Sequence, residues 1–497
     1  MFNLEGKGGH KAGRAQGPPR HMCFIINDVK NKTAPEAMAN NLLILISILV
    51  LILAPRPLTG LLDERLGQGY AASGAQAAAA SAYQQAAQRL PWQPGLWEKA
   101  GVAAQQAGDP AGAIVFLKQA AVRKALSPEG WLAMGLAEQA AGHLPSALQA
   151  WKQARPLAEA YRQLALAERA AGAFSAALED WRLSLRQEPR NAAALYQAGL
   201  LELALTPAQA LPDLMQAAQL DPALDPTVQA LRSALNAALL SPDPAYRLVL
   251  AGRALGATRN WDLAAQAFRN ALTLRANYAE AWGWLAEAKQ QQGQPGSSEI
   301  EHGLALNPNS AMLQSLYGLY LQRQKQPAQA VLAFQKAAAL EPQDPGWQMA
   351  LGGAYEQSGD LVAALEHYQQ AVGLAPNQAT AWRALAEFSL RNSVDLAGTG
   401  LSAARRLVEL VKGDWQADDL AGQILLDNND MVGAEALLKQ AVELDPTQAA
   451  PALHLGVLYL QTGNRAAAYS YLNQAKVFDP NGSNGWQAKR LLEQYFP

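Results

Sequence analysis

Few residues in this chain are spaced to do chemistry. Asp418 and Asp419 are adjacent, and Glu299 lies two residues before Glu301, so either pair could divide acid and base roles. A working carboxylate pair needs a pocket to perturb it, which a helical surface seldom gives, and both pairs read better as solvated helix faces. The six histidines, His10, His21, His143, His302, His367 and His454, are scattered with no second ligand at metal spacing, and read as isolated surface or turn residues. Cys23 is the only cysteine, so the chain can form neither an internal disulfide nor a thiolate metal site. No G-x-S-x-G elbow, phosphate loop, H-E-x-x-H or C-x-x-C motif occurs. The chain therefore reads as no enzyme, with no cofactor and no metal. An enzyme with an unrecognised site stands as the alternative from a different class.

The elements that would position any site are helices. Half of the 497 residues are apolar, yet only 7% are aromatic, and alanine and leucine dominate, which is the balance of an all-α protein. A formal charge of -2 supplies no global field for nucleic acid or an anionic surface. The stretch from Pro345 to Gln378 shows the organisation most clearly. Leu351, Gly352 and Tyr355 share one face of a first helix, and Ala364, Tyr368 and Ala371 share one face of a second. Gly359-Asp360 turns between them and Pro376 stops the unit. Small residues let the two backbones approach, and the large ones fill the gaps beside them.

This pattern resembles the tetratricopeptide (TPR) repeat, W-x2-L-G-x2-Y followed by A-x3-F and P, with Trp347 one place early. Similar units recur about twelve times over residues 60–482, through anchors such as Gly67 and Tyr83, Gly135 and Trp151, Ala165 and Trp181, Gly252 and Phe268, and Gly456 and Leu472. The resemblance implies an all-α α-solenoid superhelix of antiparallel helix pairs, with ligands on a concave side lined by first helices. The recurring aromatics Trp97, Trp131, Tyr161, Trp282 and Trp382 read as packing between repeats, with a carbohydrate-stacking platform as the sharper alternative.

The rest of the chain frames this array. Residues 1–37, rich in glycine, proline and basic side chains, read as a disordered tail. Residues 38–59 read as a hydrophobic anchor or signal segment. Their apolar run Leu42 to Ala54 is about 20 Å long as a helix, against roughly 30 Å of bilayer core. Pro55 after Ala54 makes a poor cleavage site, so an uncleaved anchor is favoured over a cleaved signal, which would leave a secreted chain. Basic residues cluster upstream, with Arg56 and Arg65 soon after, which keeps the tail inside and places the repeats outside. Translation from Met22 or Met38 would weaken that argument. Residues 60–224 form an expected first lobe, 225–244 an extra helix and joint, 245–482 a second lobe, and 483–497 a capping helix.

Groove-facing positions of the first lobe are Leu132, Leu136, Arg162, Leu166, Arg169, Tyr196, Leu200 and Leu203, an apolar set for its location. The second lobe gives Tyr246, Arg253, Trp284, Glu287, Gln290, Arg323, Glu356, Arg383, Glu387, Asp419 and Gln423. The expected partner-binding residues are Leu132, Leu136, Arg162, Leu166, Arg169, Tyr196, Leu200, Tyr246, Arg253 and Trp284. The expectation is a membrane-anchored, non-catalytic scaffold for a protein or peptide, with no nucleic acid and no small-molecule cofactor. A component of an extracytoplasmic polysaccharide or envelope-assembly and secretion machine is the nearer alternative.

Overall fold

The computed structural model describes residues 42–47 and 55–497, which are helix and turn with no strand among them. Half of the hydrophobic segment over residues 38–59, namely 38–41 and 48–54, lies outside the described residues. Among those described, no helix is long and apolar enough to cross a membrane. The chain divides into two compact units, one up to Pro189 and one from Arg190.

In the first unit, α1 (Pro55–Ala72) pairs with α2 (Gln76–Arg89), α3 (Gly95–Gln106) with α4 (Pro110–Val122), α5 (Pro128–Ala140) with α6 (Leu144–Gln153), and α7 (Ala158–Ala170) with α8 (Phe174–Gln187). The second unit opens with α9 (Ala192–Leu205) and α10 (Ala210–Leu220), followed by the additional helix α11 (Asp225–Leu239). Then come the pairs α12 (Pro244–Ala257) and α13 (Trp261–Leu274), α14 (Ala279–Gln291) and α15 (Ser297–Leu306), and α16 (Ala311–Arg323) and α17 (Pro327–Leu340). These are followed by α18 (Pro345–Ser358) and α19 (Leu361–Leu374), α20 (Ala379–Asn392) and α21 (Leu401–Leu410), α22 (Trp415–Asp427) and α23 (Met431–Leu444), α24 (Ala449–Gln461) and α25 (Arg465–Phe478), and the last helix, α26 (Ser483–Tyr495). Within each unit, pair stacks on pair as in a solenoid.

The α18–α19 pair shows why the sequence folds this way. Asp344 caps α18 by accepting the Gly346 amide at 2.8 Å, Pro345 occupies the first turn, and Gly359 ends the helix at φ 85°. Asp360 then caps α19 through the Ala363 amide at 3.0 Å. A methyl group on Gly352 would stand 3.1 Å from the Tyr368 ring, and one on Gly67 would stand 2.7 Å from Tyr83. The same small-against-large contact repeats between Gly101 and Leu117, Gly252 and Phe268, Gly318 and Phe334, and Gly456 and Leu472. Each repeat is locked by its own pair of residues.

Two places depart from this plan. In α14–α15 the close approach is made from the second-helix side, where Gly303 of α15 and Gly296 just before it approach the carbonyls of Ala279 and Ala286. Before α21 a π-helical turn, Leu396–Gly400, follows Asp395, whose carboxylate accepts the Thr399 amide at 2.9 Å.

The period break over residues 225–244 lies inside the second compact unit, and the first unit ends before the 60–224 span does. Packing accounts for this, since α11 lies against both α10 and α12, and the α12–α13 pair closes over α9. Asn270 of α13 donates to the Ala204 carbonyl of α9 at 3.1 Å.

At the turn between paired helices, Arg259 and Lys325 hold left-handed backbone, φ 61° and 59°, where Gly108, Gly142 and Gly359 stand in other repeats. Such backbone costs an L-residue about 1–2 kcal/mol, and glycine's greater freedom in the unfolded chain cancels part of the gain from replacing it. Arg259→Gly is therefore expected to stabilise the α12–α13 pair by about 0.5 kcal/mol. Slower amide exchange in those two helices is the result that checks it, and faster exchange would show that the arginine side chain outweighs the strain.

Candidate protein-docking surface

The first helix of each pair carries the expected docking positions, and the structure sorts them. In the first unit, Leu132 and Leu136 of α5 are half-buried against a cluster of Ala147, Trp151 and Leu164. Arg162 of α7 is tied by ion pairs of 2.6 Å to Glu159 and to Glu188. Leu166 stands out from α7 with 45% of its surface exposed. Arg169, and Tyr196 of α9 in the second unit, are half-buried, and each is engaged by a neighbour.

Leu200 is a correction, since it is 1% exposed, and Leu203 on the same helix is fully buried. Both belong to the core and present nothing to a partner. Helix α9 is apolar on nearly every side, and with α12 and α13 packed over it all its leucines but the last, Leu205, are buried.

In the second unit Tyr246 and Arg253 are exposed. The Arg253 guanidinium lies 5.1 Å over the Trp284 ring, which stacks in turn on Phe268 at 6.4 Å, so half-buried Trp284 is held between a cation and the core. The polar first-helix positions are stitched from each repeat to the next. Glu287 of α14 receives both ends of the Arg323 guanidinium of α16, at 2.6 and 2.7 Å. Arg383 of α20 bonds Asp414 at 2.6 Å, and His454 of α24 meets Asp419 of α22 at 2.7 Å.

Glu356 is the densest node in this ladder. It accepts from Asn392 at 2.7 Å, from Arg391 at 3.1 and 3.2 Å, and from the Tyr368 hydroxyl at 3.2 Å. Burial by itself pushes the Glu356 carboxyl up, but these donors hold it below the ordinary glutamate range. Burial, followed by the same carboxylate, raises the Tyr368 phenol. These charges join repeats to one another.

The acidic pairs also move. Asp418 and Asp419, expected on a solvated face, are 1% and 6% exposed. Asp419 is matched by His454 and Gln423, while one oxygen of Asp418 has no partner, and burial followed by Asp414 raises its pKa. Glu299 is bonded by Lys289 at 2.8 Å and holds no proton-sharing arrangement with exposed Glu301. The histidines on described residues are likewise engaged. His143 pairs with buried Glu138, His302 meets Trp282 edge-on, and half-buried His367 stacks on Tyr355 and bonds Gln348 at 2.9 Å. Among the described residues, no three histidine, cysteine or acidic side chains converge as a metal site requires.

The recurring aromatics have a role the spacing did not reveal. The Trp282, Trp347 and Trp382 indoles donate to acceptors in the turn just before their own helix, the Ala276 carbonyl, Glu341 and the Pro376 carbonyl, at 2.8 to 2.9 Å. Each such ring pins the entry to its repeat. For Trp347 and Trp382, a tryptophan shortly after a turn proline was the available signal, whereas the turn before Trp282 has no proline.

Family models for the tetratricopeptide repeat match residues 249–308 and 318–379, and again 425–492. The chain is a tetratricopeptide-repeat protein. A search of curated proteins gives no match. Similar solved structures include the Cut9–Hcn1 hetero-tetramer of APC/C, 14% identical, covering 88% of this chain and 96% of that one at a TM-score of 0.42. Yeast Tom70 is 15% identical, with 88% and 95% covered and a TM-score of 0.40. PilF of Pseudomonas aeruginosa is 17% identical, with 44% and 97% covered and a TM-score of 0.36.

Proposed function

We propose that the chain is a membrane-anchored, non-catalytic scaffold that holds a protein or peptide on the first-helix face of its N-terminal unit, with the repeats on the extracytoplasmic side. The observation that carries this reading is Leu166, a large apolar side chain left in water on α7 while the charged first-helix residues of the second unit are paired with each other. Leu132, Leu136, Arg162 and Arg169 are the remaining contacts of that unit. Tyr196, Tyr246, Arg253 and Trp284 form a separate set on the second unit. The anchor is assigned to residues 38–59, whose apolar run the repeats do not need for packing.

A photo-crosslinking side chain at position 166 is expected to trap a defined partner in the native membrane, and one at exposed Gln139 of α5 is not. Leu166→Asp should lower the recovered complex about tenfold, the equivalent of about 1.4 kcal/mol, with helicity unchanged. Equal trapping at both positions would move the docking surface elsewhere.

A further inference from the structure

Helix α1 is amphipathic in the wrong sense for the end of a water-soluble stack. Its residues turned towards the fold are Gly60, Asp63, Glu64, Gly67 and Ala71. Asp63 pairs with Arg89, and Glu64 meets Lys99 at 2.9 Å, so both acids are drawn inward. The outward face carries the large apolar side chains Leu58, Leu61, Leu62, Leu66 and Tyr70, between 40% and 62% exposed, with Arg65 among them. In an interior repeat the position of Leu66 is covered, and Leu351, its counterpart in α18, is 2% exposed. The opposite end of the array is closer to the usual capping rule, since α26 turns Gln487, Lys489, Arg490 and Glu493 to solvent beside two aromatics, Trp486 and Tyr495.

We propose that the stripe of Leu58, Leu61, Leu62, Leu66 and Tyr70 lies on the lipid surface of the bilayer that carries the chain, so that the first helix pair rests against the membrane. This rests on the anchored reading above and adds to it a second, interfacial contact. Three observations select lipid over other occupants. The uncharged apolar run ends at Ala54, directly before α1, so whatever surrounds that run is within reach of the stripe. Residues 42–47 are helical, with Leu42 to Ile46 all exposed, and a helix apolar on every side belongs in core or bilayer. Five side chains on one helix also fall short of the roughly 20 residues a side of a stable protein interface. Arg56 precedes the stripe and Arg65 lies within it, and both are exposed cations suited to headgroup phosphates.

The test uses the full chain with Cys23→Ser, reconstituted into phosphatidylcholine vesicles containing phosphatidylglycerol. An environment-sensitive NBD label is placed through Leu66→Cys in one sample and Gln139→Cys in another. The expected result is flotation of both, with blue-shifted emission at position 66 that is quenched by spin-labelled acyl chains, and water-like emission at 139. Flotation with water-like emission at 66 overturns the interfacial contact and leaves the anchor standing. Failure of the chain to float overturns both. Blue-shifted emission at 66 without vesicles, together with sedimentation as a dimer, shows that a second copy covers the stripe and overturns the proposal.

Discussion

Replacing Gly135 by alanine is expected to destabilise the α5–α6 pair by about 3 kcal/mol, the upper part of the range for overpacking a core. The new methyl group would fall inside the indole of Trp151, which is fully buried, and close-packed interiors leave a ring little room to shift. The matching change Gly352→Ala should cost about 1 kcal/mol, because its methyl would stand 3.1 Å from the Tyr368 ring and a shift of a few tenths of an ångström relieves it. Thermal unfolding read by circular dichroism orders the two variants, and amide exchange locates the damage. Loss should concentrate in α3 to α8, since solenoid repeats couple mainly to their neighbours. Equal costs for the two glycines would mean that the interlock is slack enough to absorb a methyl anywhere.

Arg323→Ala is expected to cost about 3 kcal/mol, because it strips the two guanidinium bonds from a carboxylate that is 6% exposed and leaves it only the Gln291 amide. The exposure of Arg323 itself, 35% of its side chain, keeps the figure at the low end. Glu287→Leu combined with Arg323→Ala should recover most of the loss, since removing both charges leaves no uncompensated buried group. By contrast Arg406→Ala, which breaks a surface pair with Glu409, should change stability by less than about 0.5 kcal/mol. Amide exchange in α14 and α16 reads the effect directly. A single variant as stable as the parent would show that water replaces the arginine, and the ladder of charges would then be decoration on a fold held by its small-against-large contacts.

The two predictions separate two kinds of contact, and they differ in how they are written in the chain. The helix pairs, the turn glycines and the caps could all be read from the sequence, because Gly352 and Tyr368, or Asp344 and Gly346, meet within one repeat. Their partners lie at fixed short separations, so residue type and spacing together determine the geometry. The tryptophan staples belong to the same local class and went unread only because the acceptors are backbone carbonyls or a turn carboxylate.

Exposure on the first-helix face belongs to the other class. Leu166 and Leu200 occupy equivalent positions, yet one stands in water and the other is core, because α12 and α13 close over α9 after the inserted helix α11. Asp418 and Asp419 look solvated in a helix taken alone and become buried once a neighbouring helix supplies His454. The inward acids of α1 likewise make sense only beside Arg89 and Lys99. The sequence by itself determined a tandem array of TPR helix pairs, because each pair is closed by residues it contains. Only the tertiary structure decided which faces of those helices meet water, since a helix face is covered or bare according to the repeat stacked upon it.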